Sequence, residues 1–175
     1  MRVFAAIEIP DSVKKKILDA SKYFAFRDVT LVKENALHIT LQFFGEIGQN
    51  DVNRIISALD STKMPSFNVT VHGIGFFKPE RIRVVYAGVS GGAGKISELH
   101  NLLIRKLNIR DEERFVPHVT IARVKGMRDR RAFTDLVSEY EDYDFGSFDV
   151  GSVTLKNSVL SSDGPFYSEL HKSDI

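Results

Sequence analysis

The chain has no cysteine, no tryptophan and only five prolines in 175 residues. Without thiols there can be no disulfide, no Cys-ligated zinc, no iron–sulfur cluster and no thiol nucleophile. The large aromatics are 13 Phe and 5 Tyr. No apolar run approaches the roughly 20 residues that span a bilayer. The N-terminal stretch Val3–Ile9 is apolar, but Glu8 and Pro10 interrupt it early and no small-residue cleavage site follows. It reads as a first strand, and the protein is expected to be cytoplasmic, with no membrane partner.

A charge excess of one sign is also missing, since the net charge is +1. The distribution is uneven, however. Residues 81–131 hold 12 Lys+Arg and 5 Asp+Glu, a net of +7, and the rest hold 12 and 18, a net of −6. A basic middle segment favours a polyanionic partner, phosphate being the commonest. Some of these cations, such as Arg105, Lys106 and Arg110, also fit a solvated helix face. The composition, 43% hydrophobic and 27% charged, is that of a globular protein. The length fits one domain over residues 1–175, or two small lobes sharing a core.

In chain order, residues 2–9 predict a strand, and Pro10-Asp11-Ser12 a break and helix cap. Val13, Ile17, Ala20 and Phe24 then recur at helical spacing. A strand at 36–44 ends at Gly45. Asn50 or Asp51 can cap a second helix with Val52, Ile55, Ile56 and Leu59 as its stripe. Residues 66–76 alternate as a strand. The same order then recurs: strand 81–87, a glycine-rich turn 88–94, a helix bearing Ile96, Leu99, Leu102, Leu103 and Leu107, a strand at 115–124 and a helix near 129–140. Ser147-Phe148-Asp149-Val150 matches Ser66-Phe67-Asn68-Val69 at an offset of 81 (147 − 66). A strand at 152–160 and a tail complete the chain. Strand–helix–strand–helix–strand thus occurs twice, which implies duplication. Two lobes, roughly residues 2–76 and 81–160, are expected to face each other across a pseudo-two-fold axis.

One tripeptide pattern sits at the centre of each unit: His38-Ile39-Thr40 and His118-Val119-Thr120. Residues i and i+2 of a strand share a face. Each copy therefore presents an imidazole and a hydroxyl together, while Leu37, Ile39, Leu41, Phe43, Val119 and Ile121 are expected on the buried face. With 7 Thr in 175 residues, a given His has Thr two places on about 4% of the time by chance. Two such cases among five His occur in roughly 1–2% of comparable sequences. The remaining His72, His100 and His171 have no such context and read as surface or partly packed groups.

Three roles compete for the pair. A metal site needs a third ligand, and no Asp or Glu lies within either motif, Glu46 falling beyond the end of the first. Acid–base catalysis suits two imidazoles, because one can take a proton while the other gives one. Neighbouring hydroxyls would then hold phosphate oxygens as charge develops on phosphorus. Plain core packing leaves two polar groups per strand needing buried partners.

The residues resemble a known family, the 2H phosphoesterases, and within it the RNA 2′,3′-cyclic phosphodiesterase (2′-5′ RNA ligase) branch. The resemblance rests on Arg2-Val3-Phe4-Ala5-Ala6-Ile7 with Pro10, Leu37-His38-Ile39-Thr40-Leu41-Gln42-Phe43-Phe44-Gly45-Glu46, Phe115-Val116-Pro117-His118-Val119-Thr120-Ile121-Ala122-Arg123 and Gly164-Pro165-Phe166-Tyr167. It implies a bilobal α+β fold: two pseudo-symmetric lobes, each an antiparallel sheet with outer helices, around an active cleft. It implies hydrolysis of a terminal 2′,3′-cyclic phosphate to a 2′-phosphate without metal or other cofactor. The reverse reaction, 2′-5′ joining without ATP, is implied as well. The implied partners are RNA ends or nucleotides with that cyclic phosphate, tRNA-derived ends among them, and the implied state is a monomer.

By the same analogy His118 is the base that activates water and His38 the acid that protonates O3′. Thr40 and Thr120 bind the phosphate. Arg123 is an expected phosphate contact, although strict alternation puts it opposite Thr120 unless the strand bulges. Tryptophan being absent, base stacking falls to Phe4 and to Phe43 or Phe44. The alternative from another class is a non-catalytic module that binds RNA ends or phosphate. Gly91-Gly92-Ala93-Gly94-Lys95 hints at a phosphate loop, but Val89 and Ile96 stand where that motif needs Gly and Ser or Thr.

Overall fold

The computed structural model describes residues 1–110, 114–127, 129–161 and 164–175. Arg128, one of the cations of the basic segment, lies outside them. The strands are β1 Arg2–Glu8, β2 Val29–Leu31, β3 His38–Glu46, β4 Phe67–Phe76, β5 Val84–Gly91, β6 His118–Val124, β7 Asp144–Val150, β8 Ser152–Ser161 and β9 Gly164–Asp174. The helices are α1 Asp11–Ser21, α2 Gln49–Asp60, α3 Ala93–Leu107 and α4 Arg130–Glu139. Among the described residues no helix is long and apolar enough to cross a membrane.

The strands form one mixed α+β arrangement in the order β7-β4-β5-β6-β3-β1-β8-β9, with β2 on β6 and every pairing antiparallel. The two four-stranded halves, β7-β4-β5-β6 and β3-β1-β8-β9, meet through the pair Ile39↔Val119. Both residues are fully buried. The motif strands are thus the inner edges of the two halves, back to back on the axis that relates them.

The halves are not the two contiguous units expected from the sequence. β4, made by the first unit, pairs with β5 and β7 of the second, and β8 returns to pair with β1. By sheet position the counterpart of β4 is β8. The match of Ser147–Val150 to Ser66–Val69 instead marks direct neighbours, Asn68↔Asp149 with a side-chain hydrogen bond of 3.0 Å. Adjacent strands share faces, so similar alternation there reflects a common environment.

Packing explains the helices. Val13, Ile17 and Ala20 of α1 are buried against the half that holds β6 and β7, and Ile96, Leu99 and Leu103 of α3 are buried on the side of β3. Neither α1 nor α2 has a side-chain cap, and their N-caps are Pro10 and Gly48 rather than Ser12, Asn50 or Asp51. α4 is capped by Asp129, whose carboxylate accepts from the Ala132 N–H at 3.0 Å. β5 begins later than expected and absorbs Gly88–Gly91. Gly92 has φ +76°, and a Cβ there would collide with the Asn68 carbonyl, so the glycine-rich stretch serves a tight strand-to-helix turn. Its Lys95 pairs with Glu98 at 2.9 Å.

Two strands escaped the sequence reading. β2 is three residues long. The expected tail is β9, eleven residues paired with β8 from Ser152↔Asp174 to Ser161↔Gly164. Its exposed edge carries Glu169, His171 and Lys172, which hide the alternation.

Candidate active site

His38 and Thr40 flank Ile39, and His118 and Thr120 flank Val119. Since Ile39 and Val119 pair and point into the core, their four neighbours point to the opposite face. The antiparallel register sets His38 across from Thr120 and Thr40 across from His118. All four line one cavity of about 400 Å³, together with Phe43, Arg123 and Tyr167.

A matched pair of bulges shapes the rest of this face. Along β3 the partners run Ala6↔Thr40 then Ala5↔Gln42, leaving Leu41 as the extra residue. Along β6 they run Tyr86↔Thr120 then Val85↔Ala122, leaving Ile121. The two extra residues sit 80 apart (121 − 41), as do the histidines. A bulge resets the alternation. It therefore carries Phe43 and Arg123, each three places after the motif threonine, to the cavity side. This answers the requirement at Arg123. It also corrects the expected face of Phe43, which is 64% exposed at the cavity rather than buried in the core. The freed Ile121 carbonyl accepts from the Val32 N–H at 2.9 Å.

Phe4 does not line the cavity. It is 1% exposed and packs under His38 (ring centroids 4.9 Å), Phe43 (5.6 Å) and Tyr167 (5.0 Å). It is a floor for the His-Thr face, with no surface open to a base. Tyr167 meets the His38 ring edge-on at 5.4 Å, while Phe77 and Tyr86 enclose His118 at 4.9 and 5.6 Å. Sequence reasoning assigned none of these three to the site. Tyr167 stood in the quoted tail, and Phe77, just past β4, offered no signal.

The two imidazoles differ in their hydrogen bonds. His118 Nδ1 lies 2.8 Å from the Val116 carbonyl. A carbonyl only accepts, so Nδ1 carries the proton and neutral His118 has its lone pair on Nε2. His38 Nε2 lies 3.0 Å from the Thr40 hydroxyl, while its buried Nδ1 is close enough to the Ala36 carbonyl to feel it but, unlike that of His118, makes no hydrogen bond of good geometry among the described residues.

Burial, then the Lys156 ammonium, push His38 down to about 4 from an ordinary 6.5, against Glu8 and the Ala36 carbonyl. Lys156 and Glu8 form an ion pair at 2.5 Å, and Glu8 is the β1 neighbour of His38. His118 is lowered too, by burial first and also by Arg123, against the Val116 carbonyl. Burial raises the Tyr167 hydroxyl, opposed by Arg123 and Arg2. Both imidazoles are therefore largely neutral at pH 7, and an anion placed beside them would favour the charged form.

Among the described residues no group of three His, Asp or Glu is arranged to hold a metal ion. His171 pairs with Asp60 at 2.8 Å, far along the chain from the motifs, and the glycine-rich turn is not a cavity wall. His100 is more deeply placed than expected, 3% exposed behind β3.

The family model described as "2'-5' RNA ligase superfamily" matches residues 9–158. A relative named RNA 2′,3′-cyclic phosphodiesterase from Archaeoglobus fulgidus is 34% identical over 175 residues, 97% of this chain and 98% of its own. One of the same name from Aeropyrum pernix is 37% identical over 146 residues, 81% and 83% of the two chains. A crystal structure of a Thermus thermophilus protein, TT0787, superposes with a TM-score of 0.82 at 25% identity, covering 99% of this chain and 97% of that one. Paired His-x-Thr strands meeting at one buried seam, in a chain matched almost end to end, belong to the 2′-5′ RNA ligase superfamily of 2H phosphoesterases, and this protein is a member.

Proposed function

We propose that the protein is an RNA 2′,3′-cyclic phosphodiesterase that opens the cyclic phosphate at an RNA 3′ end to a 2′-phosphate without a metal ion. The observation that carries the reading is the contrast between the two imidazoles. His118, with its proton held on Nδ1 by Val116, offers an unprotonated Nε2 to water. Water attacks phosphorus and gives its proton to His118 as the new P–O bond forms. The P–O3′ bond breaks, and His38, charged once the phosphate anion is bound, gives the Nε2 proton to O3′. The 2′-phosphate and a 3′-hydroxyl leave, and solvent returns the proton from His118 to His38. The Thr40 and Thr120 hydroxyls and the Arg123 guanidinium stabilise the non-bridging oxygens as charge develops. With a 5′-hydroxyl in place of water as the nucleophile, the same transfers in the same direction join two ends as a 2′-5′ linkage, O3′ again leaving. The names of the two relatives support the hydrolytic reading. RNA ends bearing the cyclic phosphate, tRNA-derived ends included, are the proposed substrates, and a monomer is the proposed working form.

The test is incubation of a cyclic-ended oligonucleotide with enzyme in EDTA, with the product identified by phosphorus NMR. A 2′-phosphate formed at an undiminished rate is expected. A 3′-phosphate product overturns the assignment of the leaving oxygen. Loss of turnover with the chelator points to a metal enzyme. Tight binding with no turnover, unchanged in His118→Ala, identifies a binding module.

A further inference from the structure

Beyond the reaction cavity the cleft continues into a second groove of about 770 Å³. The two spaces share Thr40, Phe43, Phe77, Val84 and His118 as walls. The far wall of the groove carries Lys78, Arg81, Arg83 and Arg114, and no described lining residue is acidic. Arg83 is committed to the protein, donating to the Lys125 carbonyl at 2.8 Å. Lys78, Arg81 and Arg114 are exposed, and among the described residues none of the ion pairs engages them. These three belong to the basic middle of the sequence or adjoin it, and the fold gathers them beside one of the motif histidines.

A space of about 400 Å³ is of a size for one small ligand. A longer RNA has to leave it, and the groove is a contiguous way out with unpaired cations along it. We propose that this groove holds the phosphodiester backbone of the RNA strand whose cyclic end fills the cavity, making an RNA chain a better substrate than a lone cyclic nucleotide. The inference rests on the catalytic reading above and adds the substrate's length. Arg81 and Arg114 contact backbone phosphates as point charges, with no reading of sequence. Phe43 and Phe77, at the junction of the two spaces, are placed to stack on the last bases before the end, a contact that every base can make.

The experiment compares kcat/KM for a 2′,3′-cyclic mononucleotide and a hexanucleotide with the same cyclic end, in wild type and in the Arg81→Gln/Arg114→Gln double variant. Binding of both to wild type and to the variant is followed alongside as salt is raised. The hexanucleotide should be preferred at least tenfold by wild type, and the double variant should lose most of that ratio. Two phosphate contacts on a single strand predict a salt slope shallower by about 1.4 in the variant. Arg81→Lys/Arg114→Lys should keep the slope, which separates charge from folding. No preference in wild type, or an equal loss on both substrates in the double variant, overturns the proposal. If neither substrate turns over, the catalytic reading fails, and the binding ratio still decides the groove.

Discussion

His100 Nδ1 lies 2.8 Å from the carbonyl of Leu41, the extra residue of the β3 bulge. As the carbonyl can only accept, the imidazole donates. The donor comes from α3, 59 residues away, and its ring stacks on Phe115 at 4.0 Å with the planes 7° apart. A bulge leaves a carbonyl outside the ladder, and here a buried side chain satisfies it. In β6 the same duty falls to a backbone N–H, that of Val32 on Ile121. Both bulges are pinned, by different means.

His100→Leu should therefore cost about 1–3 kcal/mol of stability by stranding that carbonyl. It should also lower kcat/KM about ten- to hundredfold, because the bulge sets where Phe43 and Thr40 sit. His100→Gln keeps a donor and should recover most of both. Urea unfolding and steady-state kinetics give the two readouts. Gln and Leu behaving alike, or neither altering KM or kcat, sinks the role.

The depressed histidines set the pH behaviour. In the window from about 4 to 6.5 the unfolded chain binds the proton that folded His38 refuses, so stability rises with pH there. Lys156→Met removes the second-largest cause of the depression and leaves Glu8 unopposed. The His38 value should move up, and stability should depend less on pH across that window. NMR titration of the imidazole measures the shift, and an unchanged or lower value contradicts it. In kinetics, kcat/KM reports the free protein. Its bell should have both limbs below 6.5, whereas the limbs of kcat should lie higher because bound phosphate favours the charged rings. Each limb should vanish in one of His38→Ala and His118→Ala. Near wild-type rates in both would falsify the acid–base pair.

Phe4 and Phe43 touch each other yet should respond oppositely to truncation. Phe43 is open to the cavity, so Phe43→Ala should raise KM severalfold with little effect on unfolding. Phe4 is buried under His38, and Phe4→Ala should cost about 3–5 kcal/mol. Thermal unfolding set beside KM checks the contrast. A stable Phe4→Ala with a raised KM would return Phe4 to the role of stacking on a base.

The motif face was legible because two-residue periodicity survives any tertiary detail over the three residues His-x-Thr. Arg123 and Phe43 sit beyond the bulges, and a bulge has no local residue code here: Leu41 and Ile121 look like ordinary strand residues. The expectation for Arg123 could state what was needed, and only coordinates could supply it. Phe4 was misassigned as a stacker because a β1 aromatic beside the motif strand looks the same whether it lies above or below the imidazole. Tyr167 and Phe77 come from distant parts of the chain, so their arrival depends on sheet order. That order was the main failure, since alternation tells which residues share a face but says nothing of which strand is the neighbour.

The crossing of β4 and β8 between the halves governs how the protein is made. On the ribosome, β1 and β3 emerge early, but β1 obtains its second partner only when residues 154–158 appear. The half containing His38 is thus completed last, although its motif comes first. Meanwhile the opposite half takes β4 from the first unit and closes with β7. Nascent chains stalled before β8 should therefore present a finished His118 wall and an open edge on β1, a state exposed to misassembly. Neither unit, expressed by itself, contains the strands to build a complete half, so the two histidines reach working order only together.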